Sequence, residues 1–277
     1  LRVRWAEVDV QRVVFNAHYL AYFDDAMSAY WRALAVPYAA AMQRLGGDVF
    51  LRRSSVDYLA PARMDEVLDV ALRCERIGNS SIIITGAIFA GGRRLAGAEL
   101  VYVYADPAAQ TSQPVPQPLR ALMLGYEAGE PVTQVQTGGW QALGKAAGAV
   151  RRTVFIEEQG IAADEEWDAL DASAVHALVT NRLGMTVATG RLLREGDADG
   201  GVARIGRMAV DRALRGSGVG RQVVRALEQV AQARGDRCVV LGAQRSAEAF
   251  YARLGYVPYG EPYEEVGMAH IGMRRAL

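Results

Sequence analysis

The first ten residues, LRVRWAEVDV, alternate apolar and polar side chains with the period of two that suits a strand. In HYLAYFDDAMSAYWRALA the period lengthens. Leu20, Phe23, Met27, Tyr30 or Trp31, and Leu34 recur at three- and four-residue intervals, and Pro37 follows. That spacing predicts one long helix with an apolar stripe, stopped before a proline that cannot continue it. Strand-like runs come next at about 49–60, 66–77, 80–90 and 94–105, with turn signals at Gly78-Asn79 and Gly91-Gly92. A long early helix followed by consecutive strands predicts an antiparallel sheet wrapped on a central helix, an α+β arrangement.

The pattern breaks at ADPAAQTSQPVPQPLRALMLGYEAGEP, residues 105–131, which holds five of the nine prolines. Proline fixes φ and removes a donor, so the stretch should be extended and irregular apart from a short helix between Pro118 and Tyr126. The expected division is a first domain over 1–126, a linker at 127–130 (with the proline-rich seam starting near 106) and a second domain over 131–277. The second half reads as a helix over about 139–155, strands near 174–180, 184–193 and 203–210, then a glycine-rich turn and a helix to about 234. The strand CVVLGA, the short helix AEAFYARLG and a final strand pair complete a mixed α/β layer with its own core.

Composition narrows the function classes. The 31 basic and 31 acidic residues cancel, which is no electrostatic footprint for nucleic acid or an anionic membrane. Cys74 and Cys238 are isolated and His18, His176 and His270 are scattered, so neither a disulfide framework nor a metal site is expected. No apolar run approaches the roughly 20 residues that span a bilayer, and a reducing cytoplasm is the expected setting.

The turn RGSGVG, residues 215–220, lies between a strand-like run and a helix-like run. Unpaired amides at a helix start attract anions, and glycines let the main chain approach a phosphate. Arg221 and Gln222 after Gly220 exclude a Walker A loop, and the spacing is not G-x-G-x-x-G. Arg215 to Gly220 instead fits [R/Q]-x-x-G-x-[G/A], and with the downstream AEAFYARLGY it resembles the GNAT acetyltransferase superfamily. RRTVFIEEQGI, EEWDALD and GEPYEEVGMAH resemble its ElaA-like branch, almost throughout 131–277. The resemblance implies a GNAT fold with a mixed central sheet that binds acetyl-CoA or another acyl-CoA. Amides from Gly216 through Ser217, Gly218, Val219 and Gly220 to Arg221, beside Arg215, would hold the pyrophosphate. Main-chain groups of Met208, Ala209 and Val210 would pair with pantetheine. Tyr251 would be the general acid: a phenol of pKa about 10 can protonate a thiolate whose acid has pKa about 8.5 once the two are hydrogen-bonded. Glu158, Glu261, Glu265 and His270 would bind the acceptor amine or relay its proton. Where the branch has proline before that histidine, this chain has Ala269.

VRWAEVDVQRVVFNAHYLAYFDDA, VDYLAPARMDEVLDV and RIGNSSIII, spanning residues 1 to about 126, resemble hot-dog-fold acyl-CoA thioesterases of the 4-hydroxybenzoyl-CoA thioesterase class. In that class the acidic residue ending the first strand is catalytic, here Asp9, as nucleophile or as general base on water. The amide of Asn16 at the helix start would polarise the thioester carbonyl, with His18 in support; preorganised donors of this kind contribute about 3–4 kcal/mol each. Arg12 stands where many relatives have glycine, so the loop is expected to be shaped differently. Asn16 stands where some have histidine.

Together the resemblances imply a bifunctional enzyme whose two domains both use CoA thioesters. Its partners would be small-molecule acyl-CoA and an amine, with a homo-oligomer formed through the hot-dog domain. The alternative is a single-activity thioesterase whose second domain binds acyl-CoA without catalysis.

Overall fold

A computed structural model describes residues 1–195 and 201–277. They form two compact units, Leu1–Val132 and Thr133–Leu277.

In the first unit, α1 (Asn16–Ala33) buries Tyr19, Tyr22, Phe23, Met27, Tyr30 and Trp31. Leu20, which the spacing puts on the inner stripe, is 37% exposed. The helix is rotated so that the larger aromatic bodies at 19, 22 and 23 take the buried face, since they remove more apolar area from water. After α2 (Tyr38–Leu45) come β1 (Asp48–Tyr58), β2 (Leu68–Ile77), β3 (Ser81–Ala90), β4 (Arg93–Asp106) and the two-residue β5 (Thr111–Ser112). They make an antiparallel sheet in the order β1-β4-β3-β2, with β5 against β4. Ile82, Ile84 and Ile88 alternate inward along β3. Between them Gly86 matters: a Cβ there would meet the Phe23 ring at 2.6 Å, so glycine lets the helix close on the sheet. α3 (Gln117–Glu127) finishes the unit. Its Glu127 accepts hydrogen bonds from the Tyr30 hydroxyl at 2.7 Å and the Cys74 amide at 2.8 Å, tying α3 to α1 and β2. Burial pushes the Cys74 thiol up to about 12, so it stays un-ionised and structural. This is a hot-dog domain, a sheet wrapped on one long helix.

The second unit has seven strands: β6 (Thr133–Gly139), β7 (Val175–Asn181), β8 (Thr186–Glu195), β9 (Val202–Val210), β10 (Cys238–Gln244), β11 (Val257–Glu265) and β12 (Met268–Ala276). Their order is β11-β12-β10-β9-β8-β7-β6. β9 and β10 run parallel and the other neighbours antiparallel, so the sheet is mixed. The helices are α4 (Trp140–Arg151), α5 (Ala163–Glu166), α6 (Val219–Ala233) and α7 (Glu248–Ala252). Two elements depart from the sequence expectation. β6 is an edge strand whose TQVQTGG leaves Val135 exposed, so it carries no alternation to read. The helix expected over 139–155 changes at Arg152 into a π-helical turn, Arg152–Glu158, of the kind that often marks functional sites.

Among the described residues, no helix is long and apolar enough to cross a membrane.

Candidate active sites

In the first unit the chain ahead of α1 doubles back. Val8 bridges Val14, the Asp9 amide donates to the Val13 carbonyl at 2.9 Å, and the Phe15 amide donates to the Glu7 carbonyl at 2.9 Å. Asp9 therefore sits on a tight turn just before the helix start. Its Oδ1 accepts from the Gln11 amide at 2.8 Å, which orients the carboxylate. Arg12 takes φ 63°, the left-handed region that glycine occupies freely. The turn thus keeps a glycine-type backbone at position 12, with an arginine bearing a strain of about 1–2 kcal/mol.

α1 begins after Phe15 without a side-chain cap. The His18 amide turns back to the Phe15 carbonyl at 2.9 Å, while the Asn16 and Ala17 amides have no acceptor among the described residues. Such amides, at the positive end of an 18-residue helix, suit a developing oxyanion. Tyr58 pins this start by donating to the Asn16 carbonyl at 3.1 Å and packing edge-on against Tyr19. The half-buried His18 ring stands edge-on to Phe15. The sequence reading missed Glu7, a second and deeply buried carboxylate. It accepts from the Tyr22 hydroxyl and from the Arg4 amide and Nε, each at 2.8 Å. Burial alone would raise its pKa, but those hydrogen bonds outweigh burial and hold it below the usual range. Glu7 is thereby committed to the loop's base.

In the second unit β9 and β10 pair only from Val202↔Cys238 to Arg204↔Val240. Beyond that point they part: β9 stays with β8 up to Val210↔Ala188, and β10 stays with β12 up to Gln244↔His270. The wedge leaves one edge of β9 without a strand partner along Met208, Ala209 and Val210. The glycine turn follows. Gly216 and Gly218 take φ 84° and 96°, which their lack of a Cβ permits. Gly220 serves close packing instead, since a Cβ would meet Val210 at 3.3 Å and the Phe250 ring at 3.5 Å. α6 starts without a side-chain cap, and the amides of Gly216, Gly218, Val219, Gly220 and Arg221 have no acceptor among the described residues. Ser217 departs from the expected cradle: its hydroxyl and its amide both donate to the Leu214 carbonyl, at 2.7 and 3.1 Å, so this amide is already engaged.

Phe250 brings α7 against this turn, and Tyr251 follows it, 6% exposed and packed between Phe250 and Tyr256. Burial pushes the Tyr251 phenol well above its ordinary pKa, so it stays protonated. On the far side of the wedge, His270 is buried and stacked on Tyr263, with Nδ1 2.8 Å from the Met268 carbonyl. That partner assigns the proton to Nδ1 and leaves the Nε2 lone pair available. Glu261 and Glu265 lie exposed on β11. Glu158 is engaged by Arg215 in a two-pronged ion pair at 2.6 and 2.7 Å, which holds its carboxyl below the usual range. Near His270, Gln244 Nε2 reaches Gln159 Oε1 at 3.4 Å and Met268 Sδ at 3.5 Å. The pattern of the chain did not single out these glutamines, because a polar residue ending an element has no periodic signature.

Residues 11–96 match the thioesterase superfamily, and residues 150–277 match the acetyltransferase (GNAT) domain family. Protein ElaA of Escherichia coli (strain K12) is 38% identical over 130 residues, covering 46% of this chain and 84% of that protein. The chain belongs to the GNAT family, and its residues 11–96 match the thioesterase-superfamily model. Its thioesterase-superfamily domain comes first and its GNAT domain second. A solved acyl-CoA N-acyltransferase from Pseudomonas aeruginosa is 33% identical over 52% of this chain and 99% of that one, with a TM-score of 0.46. A thioesterase from Thermus thermophilus, solved with coenzyme A and Zn, is 24% identical over 47% of this chain and 93% of that one, with a TM-score of 0.41. Among the described residues of this chain, no three His, Cys, Asp or Glu side chains are grouped to hold a metal ion.

Proposed function

We propose that this chain is a bifunctional CoA-thioester enzyme. Its thioesterase-superfamily domain hydrolyses an acyl-CoA, and its GNAT domain transfers an acyl group from acyl-CoA, acetyl-CoA in the simplest case, to an amine. The observation that carries the reading is the row of unpartnered amides at the glycine turn, placed at the end of a splayed strand with the Tyr251 helix against it.

In the first domain Asp9 Oδ2 either takes a proton from the water that attacks the thioester carbon, or attacks that carbon itself to give an acyl-aspartyl anhydride that water then cleaves, regenerating Asp9. In both routes the amide at the start of α1 stabilises the oxyanion and the C–S bond breaks, so the products are free thiol and carboxylic acid. In the second domain the pyrophosphate rests on the amides of Gly216 and of Gly218 to Arg221, and pantetheine lies along Met208 to Val210. The amine nitrogen attacks the carbonyl carbon, the C–S bond breaks, and Tyr251 gives its proton to the departing thiolate. The amine's surplus proton passes to His270 Nε2, with Glu261 and Glu265 drawing the cationic form of the acceptor to the rim.

Calorimetric titration with CoA tests the cradle. Wild type should take up two equivalents per chain. Gly218→Glu, which puts a carboxylate and a strained φ into the pyrophosphate seat, should take up one. Unchanged stoichiometry and affinity in the variant would remove the phosphate assignment.

A second copy of the chain is inferred to complete the first site. Trp5, Val10 and Phe15 stand exposed around the Asp9 loop, and Phe50, Leu51 and Tyr58 along edge strand β1. Sedimentation equilibrium should give at least twice the mass of one chain, and hydrolysis by a monomer would contradict this.

A further inference from the structure

The EEWDALD segment takes no part in the chemistry above, yet it holds the most densely charged interior of the second unit. Arg151 and Arg191 are almost fully buried there, with Glu166 and Asp171. Arg151 bonds Glu166 through Nε and Asp171 through Nη1 at 2.8 Å, and lies over the Trp167 ring at 4.8 Å. Arg191 reaches Asp168 at 2.6 Å and Asp171 at 2.8 Å. The third arginine of the set, Arg207, sits on β9 itself. It meets the Glu166 carbonyl at 3.2 Å, the Glu165 carbonyl at 3.3 Å, the Asp168 carboxylate at 3.2 Å and the Glu166 carboxylate at 3.2 Å. Three arginines thus balance three carboxylates.

Arg207 is also where the β8–β9 ladder breaks. Pairing jumps from Thr189↔Ala209 to Arg191↔Gly206, so Arg207 and Met208 together oppose Gly190. That is a β-bulge, with Arg207 at φ 49°, a left-handed conformation unfavourable for a side-chain-bearing residue. Opposite it, a Cβ on Gly190 would meet Met208 Sδ at 2.5 Å, so glycine is what lets the bulge fold inward. A strained residue persists only where its surroundings over-determine it, and four acceptors on the EEWDALD segment do so here.

We propose that Arg207 is a positioning residue: anchored by Glu165, Glu166 and Asp168, it holds the bulge that aims the main chain of Met208–Val210 into the wedge, where the pantetheine arm of acyl-CoA would bind. The inference rests on the acyl-CoA reading of this strand. The pyrophosphate seat is built from different residues and does not depend on Arg207. Loss of the anchor should therefore weaken ligands that carry pantetheine and spare those that lack it.

The test uses the full chain and Arg207→Gly, because glycine accepts φ 49° and only the anchor is lost. Hydrogen exchange of the free protein should rise at the amides of 208–210. In the amine-dependent reaction, KM for acetyl-CoA and the inhibition constant of CoA should rise about tenfold or more. Those for adenosine 3′,5′-bisphosphate, which lacks pantetheine, should stay within about twofold, with kcat changing less than KM. Arg207→Lys should restore part of the loss, and Asp168→Asn should reproduce a milder form should the glycine variant fail to fold. Unchanged exchange, or equal weakening of both inhibitors, would overturn the inference while leaving the acyltransferase reading intact. Wild type that binds CoA nowhere but in the first domain would overturn that reading and this inference together.

Discussion

Asp9→Asn is expected to lower amine-independent hydrolysis of acyl-CoA by about 100- to 10,000-fold in kcat/KM, the range for losing a positioned acid–base group or more if Asp9 is the nucleophile. The geometry makes the substitution informative. Asp9 Oδ1 is bound by the Gln11 amide, and an asparagine Oδ1 can accept the same hydrogen bond, so the turn survives. What disappears is the anionic Oδ2, replaced by an amide nitrogen that can neither attack a carbonyl nor take a proton. The buried Glu7–Tyr22 pair at the loop's base, with the exposed Arg4 bonded to Glu7, is untouched, so the melting temperature should move little. Thiol release measured with a thiol-reactive dye across a panel of acyl-CoAs checks this, and equal rates in wild type and variant would remove Asp9 from the chemistry.

Tyr251→Phe is the second large effect. Phenylalanine preserves the packing between Phe250 and Tyr256 and removes one oxygen, so the loss falls on proton donation alone. Amine-dependent thiol release should fall about 100-fold or more. Burial raises the phenol's pKa, so the donor form persists through neutral and mildly alkaline pH. The wild-type profile should show no decline there from loss of the phenolic proton, and a variant retaining full kcat would exclude Tyr251 as the acid.

Much of this was legible in the residues. The helix stripe, the four strands of the first unit and the strand–turn–helix setting of RGSGVG follow from periodicity and glycine placement, because burial on one face imposes a period. What stayed hidden lacks such an imposed pattern. β6 buries no face, and the π-turn at 152–158 differs from α-helix by its hydrogen-bond register rather than its composition. Leu20 and Tyr19 differ by a single position, and only the packed sheet decides which is inside. The partnerships of Glu158 with Arg215 and of Arg207 with Glu166 and Asp168 join residues 57, 41 and 39 positions apart. Charge pairing at that range is set by the fold. The sequence treats Glu158 as an acceptor-side carboxylate, whereas the structure couples it to Arg215, the first residue of the RGSGVG turn.

On the proposed reading, one chain carries two separable CoA-thioester sites. The direct measurement is thiol release from acyl-CoA with and without added amine, on wild type, Asp9→Asn and Tyr251→Phe in parallel. Asp9→Asn should remove the amine-independent release and spare the amine-stimulated part, and Tyr251→Phe should do the reverse. Both activities falling together in either variant, or no amine-stimulated release in wild type, would contradict it.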